Sequence, residues 1–399
     1  MQTIRTALNL QTITPSMTLA ITAKSKQLKS EGKDVIGFGA GEPDFDTPEP
    51  IKQAGIKAIN DNFTRYTEVN GTMALRQLIC KKLKEENNLT YEPKNIIVNS
   101  GAKHSLYLAL CAVLNPGEEV IIPVPYWVSY PEMVKIAGGA PVFVQTTAKN
   151  GFKLTQDDLE KAVTNKTKLI MINSPSNPTG SVYTKEELMV VANFAVKNNL
   201  LILSDEIYES IIYGDVKHVS IASLGEDIKK NTITINGLSK TYAMTGWRIG
   251  YTAAEEDIIK AMSSIQGHTV SHPASIAQKA SEAAFSLDKS VIEDMVGQYD
   301  ERRKYMMKYI DDEIKDLSYI MPDGAFYLYV DISKTFGKTY NGVKINCALD
   351  FAGALLENYL VAVIPGEGFG TKEYIRLSYA TSMKNIIEGL KRIRDFLNQ

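Results

Sequence analysis

Short apolar runs recur through the middle of the chain and alternate with longer segments of helical periodicity. The apolar runs are NIIVNS (95–100), EVIIPV (119–124), PVFVQT (141–146), KLIMIN (168–173), LLILSD (200–205) and NTITIN (231–236). Between them, residues 105–114 and 184–199 have helical spacing, and Thr184 with Glu187 forms a capping-box pattern. Strand–helix–strand order at this spacing predicts an α/β domain with a mostly parallel sheet over residues 50–290.

The C-terminal part has a different pattern. Residues 290–316 predict a long, charged amphipathic helix, and residues 382–398 predict a second helix. Between them GAFYLYVDI (324–332) alternates like a half-exposed strand, and YIRLSYA (374–380) predicts another strand. We therefore expect a smaller α+β domain over residues 291–399. The N-terminal segment, residues 1–49, is expected to join it through a helix near residues 18–32.

Composition narrows the class of protein. The 399 residues include 44 basic and 46 acidic ones, a net charge of −2 that disfavours a broad nucleic-acid surface. Cys80, Cys111 and Cys347 lack CxxC spacing, and the four histidines form no HExxH pattern, so no disulfide framework and no metal site are predicted. The chain shows no secretory signal and no run near the roughly 18 apolar residues that span a bilayer. A cytoplasmic protein without membrane partners is expected.

Small and polar residues follow four of the predicted strands where each strand ends. They are Gly101, Ala102, Lys103, Asn177, Asp205, Tyr208, Ser239 and Lys240. Each has an ordinary explanation on its own: SNPTG is a turn signal, Asp205 could cap a helix, and Lys240 could be a surface lysine. Ligands of open α/β sheets bind beyond the carboxyl ends of the strands, so together these residues predict one site.

Pyridoxal phosphate is the cofactor that this combination of side chains suits. Lys240 can form an imine with its aldehyde, and a buried Asp205 would keep its pyridine nitrogen protonated. Tyr208 and Asn177 can donate hydrogen bonds to its ring oxygen. The phosphate needs helix-start N–H groups, a hydroxyl and a guanidinium, and the candidates for these are Gly101, Ala102, Lys103, Ser239 and Arg248. Trp127 could stack on the ring.

Motifs along almost the whole chain carry a resemblance to a known family. They are AGEPDFDTP (40–48), TRYTEVNGTMALR (64–76), NSGAKHSLYLAL (99–110), PYWVSYPEM (125–133), NSPSNPTG (173–180), SDEIYE (204–209), SKTYAMTGWRIGY (239–251) and IRLSYATS (375–382). The chain resembles the class I, fold-type-I, pyridoxal-phosphate-dependent aminotransferases, in particular the aspartate aminotransferase branch. The resemblance implies a large domain with a mostly parallel, seven-stranded-type sheet between helices, plus a smaller α+β domain.

The resemblance also implies residue roles. The catalytic residues would be Lys240 as Schiff-base lysine and proton shuttle, Asp205 and Tyr208. The cofactor would be bound by Gly101, Ala102, Lys103, Trp127, Asn177, Asp205, Tyr208, Ser239, Lys240, Arg248 and Tyr66. The substrate would be bound by Gly41, Lys103, Trp127, Asn177 and Arg376, with Arg376 clamping the α-carboxylate. Tyr66 would reach the phosphate of the other subunit, which implies a homodimer with shared sites.

The sequence departs from the family pattern at Gly237. Some relatives carry a hydroxyl residue there, so one hydrogen bond fewer to the phosphate is expected.

The substrate that we expect depends on the role of Lys103. A second cation at this helix start favours aspartate or glutamate as amino donor and 2-oxoglutarate or oxaloacetate as acceptor, in a ping-pong reaction. Thr18 together with Lys103 matches members that also accept prephenate, and aromatic or alanine transfer and a lyase or synthase reaction remain alternatives. A dinucleotide-dependent oxidoreductase is disfavoured, because Glu42 stands where GxGxxG requires glycine. A catalytically silent protein on the same fold would be colourless when purified.

Overall fold

The computed structural model describes residues 11–399. Its α-helices are α1 (Met17–Ser30), α2 (Glu49–Asn60), α3 (Met73–Asn87), α4 (Ala102–Val113), α5 (Tyr130–Ile136), α6 (Gln156–Ala162), α7 (Lys185–Lys197), α8 (Glu226–Lys230), α9 (Glu256–Thr269), α10 (Ser275–Ala284), α11 (Lys289–Glu313), α12 (Ala348–Tyr359) and α13 (Met383–Leu397). Its strands are β1 (Ile36–Gly37), β2 (Ile96–Asn99), β3 (Glu119–Val124), β4 (Ala140–Gln145), β5 (Thr167–Asn173), β6 (Leu201–Asp205), β7 (Thr232–Gly237), β8 (Gly250–Ala253), β9 (Ser318–Tyr319), β10 (Tyr327–Asp331), β11 (Thr339–Tyr340), β12 (Val343–Lys344), β13 (Val361–Ala362), β14 (Ile364–Pro365) and β15 (Tyr374–Ser378). Over residues 11–399, no helix combines the length and the apolar character that crossing a membrane requires.

The central sheet has seven strands in the order β2-β8-β7-β6-β5-β3-β4. Strand β8 runs antiparallel to both of its neighbours, and β7, β6, β5, β3 and β4 pair in parallel. This confirms the predicted α/β class and the mostly parallel sheet. Apolar side chains of β5 alternate between two cores, since Met171 packs with α4 and Ile172 packs with α7. Both faces are covered by helices, which explains why these strands are nearly continuous apolar runs.

A smaller antiparallel sheet, β14-β15-β10-β9, lies in the C-terminal part and packs against α11 and α13. The prediction that strand 324–332 is half-exposed is wrong, because residues 327–330 are all buried. Helix-side residues such as Leu390 cover one face of β10, and Phe369 and Ile364 cover Tyr329 on the other.

The N-terminal segment is attached to this C-terminal part. Strand β1 pairs in parallel with β13, through hydrogen bonds such as that from Ile36 N to the carbonyl oxygen of Leu360, 2.8 Å long. Helix α1 contacts β13 and β14. The grouping of residues 1–49 with residues 291–399 remains a prediction, and residues 1–10 of it lie outside the described residues. The boundaries themselves remain a prediction.

Candidate active site

A cavity of about 710 Å³ lies at the carboxyl ends of the central strands, between the two sheets. Strands β5 and β6 are in register there, with Asn173 opposite Asp205. The predicted residues that line the cavity are Gly41, Ala102, Lys103, Trp127, Asn177, Asp205, Tyr208, Ser239, Lys240, Arg248 and Arg376, together with Thr18. The cavity thus brings together residues as far apart in sequence as Thr18 and Arg376.

Lys240 follows β7 and extends into this cavity. Its Nζ donates a 2.5 Å hydrogen bond to the carbonyl oxygen of Gly41 and lies 5.8 Å from the ring centroid of Tyr208. Burial lowers the pKa of Lys240 from 10.5 to about 8; the positive charges of Arg376 and Arg248 act in the same direction, and Glu42 opposes them. Its surroundings therefore favour the neutral amine, which is the form that acts as a nucleophile or a base.

Asp205 ends β6 and is only 4% exposed. Its carboxylate accepts a 2.7 Å hydrogen bond from the hydroxyl of Tyr130 and a 3.2 Å bond from the backbone N–H of Ile207. Burial raises the pKa of Asp205 from 3.8 to about 6, and the bond from Tyr130 counteracts part of this effect. Within residues 11–399, no cation is bonded to this buried carboxyl group. The site therefore suits a ligand that carries its own positive charge.

Arg376 lies on β15 and is 2% exposed. Its Nη1 donates a 2.8 Å hydrogen bond to Oδ1 of Asn177, and its Nη2 donates a 3.0 Å bond to the carbonyl oxygen of Gly39. Its Nε is buried and has no hydrogen-bond acceptor among residues 11–399. A guanidinium held in this way can bind the carboxylate of a ligand, because the carboxylate oxygens accept hydrogen bonds from it.

The start of α4 forms an anion cradle with Arg248. Gly101 has a φ of +88°, and a Cβ at this position would lie 2.4 Å from Nη2 of Arg248. Arg248 also has a positive φ, 59°, and its Nη1 donates a 2.9 Å bond to the carbonyl oxygen of Thr245. The first N–H groups of a helix have no acceptor within the helix, so the α4 terminus, Ser239 and Arg248 offer donors of the kind a phosphate needs.

Gly237, the predicted departure from the family pattern, lies against β8. A Cβ at this position would be 2.9 Å from the Cα of Gly250, so a side chain there would require the β7–β8 pair to separate. The expected loss of one hydrogen bond to the phosphate stays a prediction.

Lys103 and Trp127 meet at the wall of the cavity. The ammonium Nζ of Lys103 lies 4.8 Å from the Trp127 ring centroid, within the range of a cation–π interaction. Partial desolvation and the charge of Arg248 lower the pKa of Lys103. Lys103 remains exposed at the start of α4, and its contact with Trp127 and its place on the cavity wall are what suit it to meet a substrate.

Tyr66 lies apart from the other predicted residues. It is 89% exposed and packs edge-on against His272, with the ring centroids 5.6 Å apart. It does not line the cavity of its own chain, and the predicted role at another subunit remains a prediction.

Two tyrosines of the site were not predicted. Tyr130 bonds to Asp205, and the hydroxyl of Tyr327 lies 2.8 Å from that of Tyr208. Tyr130 lies within the motif PYWVSYPEM (125–133), three residues after Trp127, so the sequence could have indicated it. Tyr327 lies in a predicted strand, where an aromatic residue is ordinarily a core residue.

Comparisons with known proteins identify the family of the chain and support its fold. The family model described as aminotransferase class I and II matches residues 33–393. The chain is 48% identical over 388 residues to an aspartate aminotransferase of Bacillus sp. (strain YM-2), covering 97% of each protein. It is 46% identical to an aspartate/prephenate aminotransferase of Nitrosomonas europaea, covering 97% of this chain and 98% of the relative. Among solved structures, the aspartate aminotransferase of Rhizobium meliloti superposes with a TM-score of 0.96 at 40% identity, with 99% of each chain covered. That of Thermus thermophilus with maleate superposes with a TM-score of 0.93 at 37% identity, covering 99% of this chain and 100% of the other.

Proposed function

The chain belongs to the family of class I and II aminotransferases, and from this premise we propose that it is a pyridoxal-phosphate-dependent aspartate aminotransferase. The observation that carries the proposal is the meeting of Lys240, Asp205 and Arg376 in one cavity. This supplies an amine of lowered pKa, a buried carboxyl group and a guanidinium, each with a separate task in amino-group transfer.

The residues present fit the cofactor. Gly101 leaves room for Arg248 at the α4 terminus, where a side chain would collide with the guanidinium, and this cradle suits a phosphate. Asp205 would hold the pyridine nitrogen in its protonated form, and Tyr208 and Asn177 would face the ring oxygen. Pyridoxal phosphate bound there supplies an aldehyde that condenses with amines and a ring that accepts the electron pair released at the substrate's Cα.

The chain's own groups do the binding and the proton transfer. Arg376 holds the substrate's α-carboxylate, and the backbone of Gly41 contacts the substrate beside it. With its pKa lowered to about 8, Lys240 takes the proton from the substrate's Cα as a general base and keeps it within the cavity for return. The reaction runs in two halves, with an amino acid leaving as its oxo acid before a second oxo acid enters.

Lys103 supports a dicarboxylic substrate, because it gives the cavity a cation for the second carboxylate besides Arg376, which is assigned to the α-carboxylate. Aspartate or glutamate as donor, with 2-oxoglutarate or oxaloacetate as acceptor, suits this charge pattern. Prephenate is the second candidate acceptor, because Thr18 and Lys103 both line the cavity and several relatives are named aspartate/prephenate aminotransferases. We also propose a homodimer in which the exposed Tyr66 serves the partner's site.

A half-reaction screen tests the proposal. The protein is loaded with pyridoxal phosphate, mixed with one amino acid at a time, and followed through the visible band of the bound cofactor. Aspartate and glutamate are expected to bleach the band quickly, and alanine and phenylalanine slowly. A protein that acquires no visible band, or whose band no amino acid bleaches, would rule out the proposed activity.

A further inference from the structure

Tyr327 lies between two groups that have different tasks in the proposed reaction. It is fully buried on β10 and lines the cavity. Its hydroxyl oxygen is 2.8 Å from that of Tyr208, and its ring centroid is 4.2 Å from Cζ of Arg376. One side chain therefore touches both the predicted partner of the cofactor's ring oxygen and the predicted carboxylate arginine.

The antiparallel pairing of β10 with β15 fixes this position. Tyr329 stands opposite Arg376, and Tyr327 stands opposite Ser378, two residues further along β15. Tyr327 is thus the diagonal neighbour of Arg376, a distance that an aromatic ring can bridge. Tyr208, in the turn that follows β6, meets it with the two rings edge-on, their centroids 5.8 Å apart at an angle of 78°.

We propose that Tyr327 is a positioning residue that seats Arg376 with its ring and directs the hydroxyl proton of Tyr208 with its own hydroxyl. The inference rests on the proposed function and deepens it. If Tyr208 donates its proton to the cofactor's ring oxygen, the bond between the two phenols requires Tyr327 to donate to the oxygen of Tyr208. A phenol that accepts a hydrogen bond is a stronger donor in turn, so Tyr327 strengthens the bond that Tyr208 makes.

The surroundings keep both phenols protonated. Burial raises the pKa of Tyr208 well above its ordinary value, and Tyr327 raises it further. Burial also raises the pKa of Tyr327, although Arg376 and the bond with Tyr208 act against this. The charged groups near Tyr208 include Asp205, Lys240 and Arg376. Two protonated phenols can form a directed chain of donors across the neutral pH range.

Two substitutions separate the roles of hydroxyl and ring. Tyr327→Phe keeps the ring, so the KM for aspartate should change by less than about twofold, while the pH midpoint of the cofactor's visible band should rise by about 0.5 units. Tyr327→Leu removes the ring as well and should raise the KM about tenfold. Tyr329→Phe is the matched control: it removes another buried phenol of β10, whose hydroxyl bonds Thr371 at 2.6 Å, and should leave the midpoint unchanged.

The Tyr208→Phe background shows whether Tyr327 acts through Tyr208. If it does, adding Tyr327→Phe should shift the midpoint no further. A full additional shift in that background, or an unmoved midpoint in the single Tyr327→Phe variant, would overturn the inference. This conservative variant keeps the test decisive even if Tyr327→Leu fails to fold. A wild-type protein that shows no visible band would instead overturn the proposed function itself.

Discussion

Arg376 and Asn177 are bonded to each other across the two sheets, although they are 199 residues apart in the chain. Arg376 belongs to the small antiparallel sheet, and Asn177 follows β5 of the large one. Both side chains are buried, so their charge-assisted hydrogen bond is protected from solvent. The proposed carboxylate site is therefore made jointly by the two parts of the chain.

Arg376→Lys should impair substrate binding and leave the cofactor band in place. Lysine cannot provide the planar pair of donors, and it leaves Oδ1 of Asn177 without its partner. We expect kcat/KM for aspartate to fall about 100-fold, mainly through KM. Arg392→Lys, at a residue bonded to Asp34 away from the cavity, is the control and should change kcat/KM less than about twofold. An unchanged KM in Arg376→Lys would remove the carboxylate role.

Lys240→Met should make the cofactor-free protein more stable near neutral pH. The folded-state pKa of about 8 lies below the ordinary 10.5, so folding disfavours the charged amine. This penalty is complete below pH 8 and disappears as the pH rises toward 10.5. The advantage of the variant in urea denaturation should shrink over that window, and an advantage that stays constant with pH would contradict the lowered pKa.

Lys103→Ala should distinguish donors by charge. The ammonium of Lys103 can pair only with a substrate that has a second carboxylate, so kcat/KM should fall about tenfold or more for aspartate and little for alanine. Lys149→Ala, at an exposed residue outside the residues that line the cavity, is the control. Equal losses for the two donors would exclude a role in side-chain recognition.

A mixing experiment tests the proposed exchange of Tyr66 between subunits. Lys240→Ala chains and Tyr66→Ala chains are each expected to have low activity. In a mixed dimer, one site combines an intact Lys240 with an intact Tyr66 from the other chain. Unfolding and refolding the mixture should therefore recover roughly a quarter of the wild-type activity. No gain over the separate variants would show that each site is built from one chain.

Lys82→Met should destabilise the fold without touching the cavity. Lys82 and Glu209, which are 9% and 8% exposed, form a buried ion pair, and Asn87 and Asn236 also donate to Glu209. Removing the cation leaves the buried carboxylate with only His218 at 4.0 Å and two amide donors, which should cost up to about 3–5 kcal/mol of unfolding free energy. Lys81→Met, which breaks an exposed 4.0 Å pair with Glu85, should cost less than about 1 kcal/mol. Similar losses in the two variants would argue against the buried pair.

The same pair has a pH signature. Burial alone would raise the pKa of Glu209, but Lys82 and His218 lower it below its ordinary 4.5. The stability that this carboxylate contributes is present above that value and is lost as the pH falls through the lowered pKa. Acid should therefore destabilise the wild-type protein more than Lys82→Met, so that the two stabilities converge.

The sequence patterns predict most of the large sheet, because strands buried on both faces are apolar runs with polar residues at their ends. Asp205 and Lys240 were found in this way. Strand β8 was not predicted. It is only four residues long, Gly250–Ala253, and it begins at the end of the motif 239–251, whose residues suggest chemistry instead of a strand. Its position depends on close backbone contact, because a Cβ on Gly250 would lie 2.3 Å from the nitrogen of Ala102.

Tyr130 and Tyr327 mark the limit of prediction at the site. A phenol on a short helix or a strand is equally suited to a core position, and only the folded chain brings these hydroxyls to Asp205 and Tyr208. Tyr66 marks another limit, because its exposure in one chain acquires a meaning only if a second chain covers it.

The pairing of β1 with β13 has a mechanical consequence. Residues 39 and 41, whose carbonyl oxygens accept hydrogen bonds from Arg376 and Lys240, follow β1 directly and are fastened to the same body as Arg376. That body therefore carries the carbonyls of residues 39 and 41 together with the guanidinium, so its placement over the large sheet sets the bond from Lys240 to Gly41 and the bond from Arg376 to Asn177 at the same time.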